Sequence, residues 1–94
     1  LRIHWKEAFK KDYARLEKRL KQFDPLRREL FEAIRMLQQG QNVSEKFVVN
    51  RVIAEGEGWY ACYFYDKYVL LYKIEGQYVK LARLGTPREL EKRS

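Results

Sequence analysis

Phe9, Tyr13, Leu16, Leu20 and Phe23 recur at steps of 4, 3, 4 and 3, the period of one face of an α-helix. Lys10, Lys11, Arg15, Lys18 and Arg19 fall mostly off that stripe, which leaves them a solvated face. Asp24-Pro25 predicts a restart of the chain. Asp accepts backbone hydrogen bonds as a helix cap, and Pro suits the first helical position because its missing N–H had no partner there. Leu26, Leu30, Ile34 and Leu37, with Phe31 and Ala33 widening the stripe, predict a second amphipathic helix that Gly40 closes. The first 41 residues therefore read as an extended start, Leu1–Trp5, followed by an αα-hairpin.

Beyond that point the composition changes to β-branched and aromatic residues in short runs punctuated by glycine. Runs over 46–54, 59–65, 68–74 and 78–84 predict four strands. They are joined by turns at 55–58, Asp66-Lys67 and 75–77. In the third run Leu70, Tyr72 and Ile74 share one face and Val69 and Leu71 the other, so that strand is expected to be central and covered on both sides. Gly85-Thr86-Pro87 ends the meander, and 87–93 forms a last short helix. The expected fold is α+β. Two N-terminal helices pack on one face of a four- to five-stranded, mainly antiparallel sheet, the fifth strand being Leu1–Trp5, and 1–94 forms a single domain. The other face is left partly open and concave.

Charge sharpens this picture. Twenty Lys and Arg face 13 Asp and Glu, a net charge of +7 in 94 residues, and a field of that sign attracts nucleic acid, an anionic membrane surface or an acidic protein. Membrane is the weakest of these, because the apolar stripes are needed for the core. No apolar run approaches a bilayer span and the N-terminus lacks a signal-peptide core, so a soluble cytoplasmic protein is expected. A lone Cys62 and a lone His4 exclude an internal disulfide and a structural zinc site, and no metal or cofactor is expected. No phosphate-binding glycine loop, nucleophile elbow or metalloprotease helix motif occurs.

Six of the seven tyrosines, at 60, 63, 65, 68, 72 and 78, are interleaved with Arg51, Lys67, Lys73, Lys80 and Arg83. Aromatic faces that stack on bases beside cations that hold phosphates suit a single-stranded nucleic acid. Tyrosine is also a common strand residue whose ring fills a core. Alternation puts Trp59, Ala61, Tyr63 and Tyr65 on one face and Tyr60, Cys62 and Phe64 on the other, so at most half of them can line a groove.

The order strand, two helices and meander, with Phe9-Lys10-Lys11-Asp12, Tyr68-Val69-Leu70-Leu71-Tyr72-Lys73-Ile74 and Leu81-Ala82-Arg83-Leu84-Gly85-Thr86 followed by Glu89-Leu90, resembles the RelE/ParE superfamily of type II toxins, most closely its YafQ-like branch. The resemblance implies a RelE-like fold and a ribosome-dependent mRNA endoribonuclease silenced by an antitoxin; the ParE branch inhibits DNA gyrase instead. Such RNases direct the ribose 2′-OH onto the adjacent phosphate, which calls for a base, a cation at the phosphorane and an acid at the leaving 5′-oxygen. Arg83 falls on the family's strand-end arginine, the phosphate-stabilising position. Asn50, Tyr63 and Pro87 stand where the branch has histidines, Lys67 where it has an acid, and Glu91 where it has a terminal Phe. The RelE branch works with Lys, Arg and Tyr, and that chemistry implies Arg83, Lys67 and Tyr63 as catalytic residues. Lys46, Asn50, Arg51, Lys80, Lys92 and Arg93 are then the RNA-binding set. The implied partners are an acidic antitoxin, the ribosome and mRNA. Two other readings stay open: a catalytically silent or gyrase-directed toxin on the same fold, and a plain RNA-binding module. For Arg83 the bland alternative is an edge salt bridge; for Lys67 it is ordinary exposed charge in a turn.

Overall fold

The structure is a computed structural model that describes residues 1–53 and 56–91. Strand β1 (Arg2–Trp5) leads into helices α1 (Glu7–Arg19) and α2 (Phe23–Gln38). A 3₁₀ turn at Val43–Glu45 precedes strands β2 (Val48–Arg51), β3 (Trp59–Phe64), β4 (Tyr68–Glu75) and β5 (Tyr78–Gly85), and helix α3 (Pro87–Glu91) follows. The five strands form one sheet in the order β1-β5-β4-β3-β2, antiparallel except for the parallel pair of β1 with β5. The α+β architecture expected from the hydrophobic pattern is thus present, and β1 is the fifth strand.

Most of the helical stripe is buried as its spacing predicts, but Leu20 lies just past the end of α1 and Phe31, expected to widen the second stripe, is 40% exposed. Phe9, Leu16, Phe23, Leu26, Leu30 and Leu37 pack with Cys62, Leu70, Tyr72, Val79 and Leu84 in one core between the helices and the sheet. Helix α2 ends in a Schellman motif. Gly40, at φ +74°, donates to Leu37 O, and Gln41 donates to Met36 O.

Three local expectations need correction. The second helix begins at Phe23, with Gln22 as its uncapped N-cap, so Asp24 and Pro25 lie inside the first turn rather than at cap and first position. Pro is accommodated there because the first four N–H groups of a helix have no intrahelical partner. The first strand of the meander is confined to Val48–Arg51, because Lys46 and Phe47 close the preceding 3₁₀ turn by donating to Val43 O; residues 54 and 55 of the predicted run and turn lie outside the described residues. Tyr65 leaves the face that alternation assigned to it. It enters the β3–β4 turn at φ +45°, with Asp66 at +72°, and packs against the core beside Tyr68. Its N–H donates to Glu29 Oε1 of α2 at 2.9 Å, which pins the turn to the helical layer.

No helix among the described residues is long and apolar enough to cross a membrane.

Candidate functional site

Side chains opposite one another in a sheet share a face, so register alone sorts the candidate residues. On the side away from α1 and α2, one row runs Val48–Tyr63–Val69–Gly85 and the next runs Asn50–Ala61–Leu71–Arg83. A third runs Trp59–Lys73–Lys80–His4, and Glu75, Tyr78 and Arg2 form the last. The apolar centre of this face, at Ala61, Val69 and Leu71, is buried, as expected of a strand covered on both sides, while Tyr63, Lys73, Lys80 and Arg83 remain partly exposed around it.

Arg83 belongs to this face because of a β-bulge. Strict alternation from Val79 and Leu81, which point into the core, would send residue 83 inward as well. The register instead shifts between Leu71 and Tyr72. Leu81 pairs with Tyr72 and Arg83 with Leu71, which leaves Ala82 as the extra residue. The extra residue restores Leu84 to the core and turns Arg83 outward.

The bulge lies where β1 has ended. Lys6 makes the last backbone bond to β5, at Leu81 O, and α1 then runs along the uncovered edge. Asp12 of α1, 2% exposed, supplies the missing acceptor. Its Oδ2 accepts the Leu84 N–H at 2.9 Å and Arg83 Nε at 2.7 Å, and its Oδ1 accepts from an Arg83 terminal nitrogen at 3.3 Å and from Arg15 at 3.0 Å. A buried carboxylate is stable only when its hydrogen-bonding capacity is filled, and here four donors fill it. The two-point contact fixes the plane of the Arg83 guanidinium. Arg15 brings a second positive charge to the same carboxylate, so the Asp12, Arg15 and Arg83 trio carries a net charge of +1. The salt bridge weighed for Arg83 therefore exists, but to a helix across the edge rather than to a strand neighbour.

The chain after Arg83 is also set by packing. Thr86 and Glu89 form a capping box for α3: Glu89 Oε1 accepts the Thr86 N–H at 2.9 Å, and Thr86 Oγ1 accepts the Glu89 N–H at 3.2 Å. Pro87 occupies the first helical position after this cap. Glu89 Oε2 also meets Arg19 at 2.8 Å, tying α3 to α1. A Cβ on Gly85 would lie 2.9 Å from Glu89 Oε1, on a carboxylate already held by the Thr86 N–H at one oxygen and by Arg19 at the other, so glycine leaves room for the box. Gly85→Ala is expected to cost about 1 kcal/mol, the usual worth of a cap, measured by urea denaturation.

Burial pushes the Glu89 carboxyl upward, but the Thr86 backbone N–H and the Arg19 guanidinium outweigh it and hold the group below the ordinary glutamate range. Its folded value is depressed, so its contribution is present above the unfolded value and is lost as pH falls through the folded one. The stability difference between wild type and Glu89→Gln should therefore be largest near neutral pH and close as the solution is acidified below the ordinary glutamate range, read by urea midpoints at a series of pH values.

The structure brings together Arg83, Tyr63, Asn50 and Lys80 of the expected site residues. Arg83 and Tyr63 sit on strands two apart and in adjacent rows, about 10 Å across the strands and about 7 Å along them. Lys67 is exposed in the turn at the same end of the sheet as Tyr63 and Gly85. Two members of the set lie elsewhere. Arg51 pairs with Tyr60 on the helix-facing side of the sheet, and Lys46 forms an ion pair with Glu32 of α2. Lys92 and Arg93 lie outside the described residues.

Of the six tyrosines in the second half, only Tyr63 and Tyr78 have register positions on the open face. Tyr60 and Tyr72 stack on each other at 5.8 Å on the helix side. Burial pushes the Tyr72 hydroxyl and the Cys62 thiol each up to about 12, which removes both from neutral-pH proton transfer. Trp59, Lys73, Tyr78, Arg2 and His4 also lie on this face, and none of them was among the catalytic or RNA-binding residues expected from the sequence. Strand β1 reaches it only through its pairing with β5, which no local pattern reports. Among the described residues no cluster of three His, Cys, Asp or Glu could hold a metal ion.

A profile of the YafQ toxin family, described as a bacterial toxin of type II toxin-antitoxin systems, matches residues 1–92. The fold is similar to a metal-bound toxin from Helicobacter pylori (23% identity, TM-score 0.80) and to YafQ from E. coli (20% identity, TM-score 0.77). It is also similar to E. coli YafQ in its complex with DinJ (20% identity, TM-score 0.73). In each case the match covers 96% of this chain and 98% of the other. No curated protein sequence matches significantly. With the profile spanning nearly the whole chain, and Asp12, the bulge at Ala82 and the Gly85-Thr86 cap giving physical reasons for the motifs that carry the resemblance, this chain belongs to the YafQ family of type II toxin-antitoxin toxins.

Proposed function

We propose that this toxin is a ribosome-dependent mRNA endoribonuclease of the cytoplasm, silenced by an acidic antitoxin, with Arg83 stabilising the phosphorane. The observation that carries this reading is Arg83 itself. A bulge turns it onto the open, cationic face, and a buried carboxylate fixes its plane there. A fixed cation at the position where charge develops is what cleavage by an adjacent 2′-OH asks of the protein.

Tyr63 and Lys67, at the same end of the face, serve as the acid/base or orienting pair. Asn50 and Lys80 line the RNA path. Lys46 and Arg51, on the helical side, are left to partner contacts rather than to the scissile bond. The residues that register places on the open face include four cations, Arg2, Lys73, Lys80 and Arg83, and one carboxylate, Glu75, a balance that favours a polyanionic ligand. That E. coli YafQ was solved with DinJ supports a protein antitoxin for this chain as well.

Induction in growing cells tests the reading. The expected result is growth arrest with loss of translated mRNA, relieved by co-expression of the antitoxin. Growth arrest with intact mRNA would favour the second reading, a toxin that blocks its target by occupancy. Pro87, which cannot transfer a proton, and Asn50, which is no base at neutral pH, are the residues that favour it.

A further inference from the structure

Lys73 of β4 and Lys80 of β5 stand directly opposite each other on the open face. Like charges in that position repel, so a sheet carries such a pair at a cost. The structure balances it with one carboxylate. Glu75 accepts from Lys80 Nζ and lies 3.5 Å from Lys73 Nζ, and its own carboxyl is held below the ordinary range by the two cations. Two ammonium groups converging on one half-exposed carboxylate have the geometry of an anion site already occupied by an anion of the protein's own.

The neighbouring groups are built around this pair. Lys73 Nζ lies 5.6 Å from the centroid of the Trp59 ring, directly across β3. Gly58 provides the space for it, since a Cβ there would meet Lys73 Cε at 3.2 Å. His4 closes the row at the β1 edge. On β4 this row is two residues from the Arg83 row, about 7 Å by strand rise, a separation that an extended single strand spans between successive phosphates.

We propose that Lys73 and Lys80 form a second phosphate site for the RNA strand, next to the phosphate at Arg83. Trp59 offers a stacking surface to the adjoining base, and Glu75 fills the site as a competing anion until RNA displaces it. The inference rests on the RNA reading above and specifies its binding track.

Binding of a short 2′-O-methyl single-stranded RNA, which resists cleavage by a 2′-OH, tests this by fluorescence anisotropy over a salt series, with thermal melts confirming that each variant is folded. Glu75→Gln should bind about 3- to 10-fold more tightly at low salt. The double variant Lys73→Gln/Lys80→Gln should bind more weakly and flatten the slope of log K against log salt by about 0.7–1.4, the contribution of one to two phosphates. Trp59→Ala should weaken binding by about fivefold or more, the low end for one stacked base, with little change in slope.

Binding that depends on Arg83 yet is unchanged in Glu75→Gln and in the double lysine variant would overturn the second site and leave the RNA reading standing. Weaker binding by Glu75→Gln would overturn the competitor role. Tightening toward the antitoxin but not toward RNA would assign the row to that partner and overturn the proposal. No RNA binding by wild type, with or without ribosomes, would overturn the RNA reading and this site with it.

Discussion

Asp12→Ala should cost about 3 kcal/mol of stability, a large share of the roughly 5–15 kcal/mol that holds a domain of this size together. The substitution removes the acceptor of the buried Leu84 N–H at the free edge of β5 and leaves Arg83 without the carboxylate that orients it. An unsatisfied buried N–H alone costs about 1–3 kcal/mol. The Arg83 side chain is 27% exposed and can turn to water, which keeps the total at the lower end of the range for breaking a buried ion pair. Asp12→Asn keeps an oxygen for one donor and should cost less. Urea denaturation of the three proteins gives the order wild type, Asn, Ala. A loss below about 1 kcal/mol for Ala would mean that Asp12 does not support the edge.

Arg83→Ala should lower RNA cleavage by about 10²-fold or more, the loss found when a preorganised charge contact to a transition state is removed. It should also destabilise the protein, because it leaves the Asp12 carboxylate buried with only Arg15 and the Leu84 N–H as donors. The two effects separate when activity is measured well below the melting temperature of the variant. Arg83→Lys sharpens the test. It keeps a positive charge beside Asp12 but loses the planar fork, so it should recover much of the stability and little of the activity. Equal recovery of both would assign Arg83 to the fold alone.

Much of this architecture is written in short-range pattern. The apolar steps from Phe9 through Tyr13 to Leu16 and the glycine-punctuated runs after Val48 are local signals that the helices and strands follow, whereas Leu20 and Phe23, which continue the stripe in sequence, lie beyond the end of α1 at Arg19. Misplaced boundaries were those decided by competition. Asp24-Pro25 reads as cap and first position, yet the helix takes Phe23 into its first turn because that ring is buried in the core.

The site was less legible for a physical reason. Arg83 and Asp12 are 71 residues apart, and the motifs containing them are visible in the sequence without any sign that one holds the other. Leu81-Ala82-Arg83-Leu84 does break the two-residue period, and two flanking leucines that must both face the core are the signal from which a bulge could have been read. The open face itself depends on register. Arg51 looks equivalent to Asn50 in the sequence, but one residue of alternation sends it to the opposite side of the sheet. His4 looks isolated, but the parallel pairing of β1 sets it beside Lys80.

The reaction proposed for this toxin is cleavage by an adjacent 2′-OH at a phosphate held by Arg83. Its most direct test adds the purified toxin to ribosomes stalled on a defined mRNA, maps new 5′ ends, and repeats the reaction with a single 2′-deoxynucleotide at the cleaved position. The account predicts a discrete cut within the ribosome-bound codon that disappears with the deoxy substitution and falls at least 10²-fold with Arg83→Ala. A cut that survives the loss of the 2′-OH, or no cut from protein that still arrests growth, would contradict it.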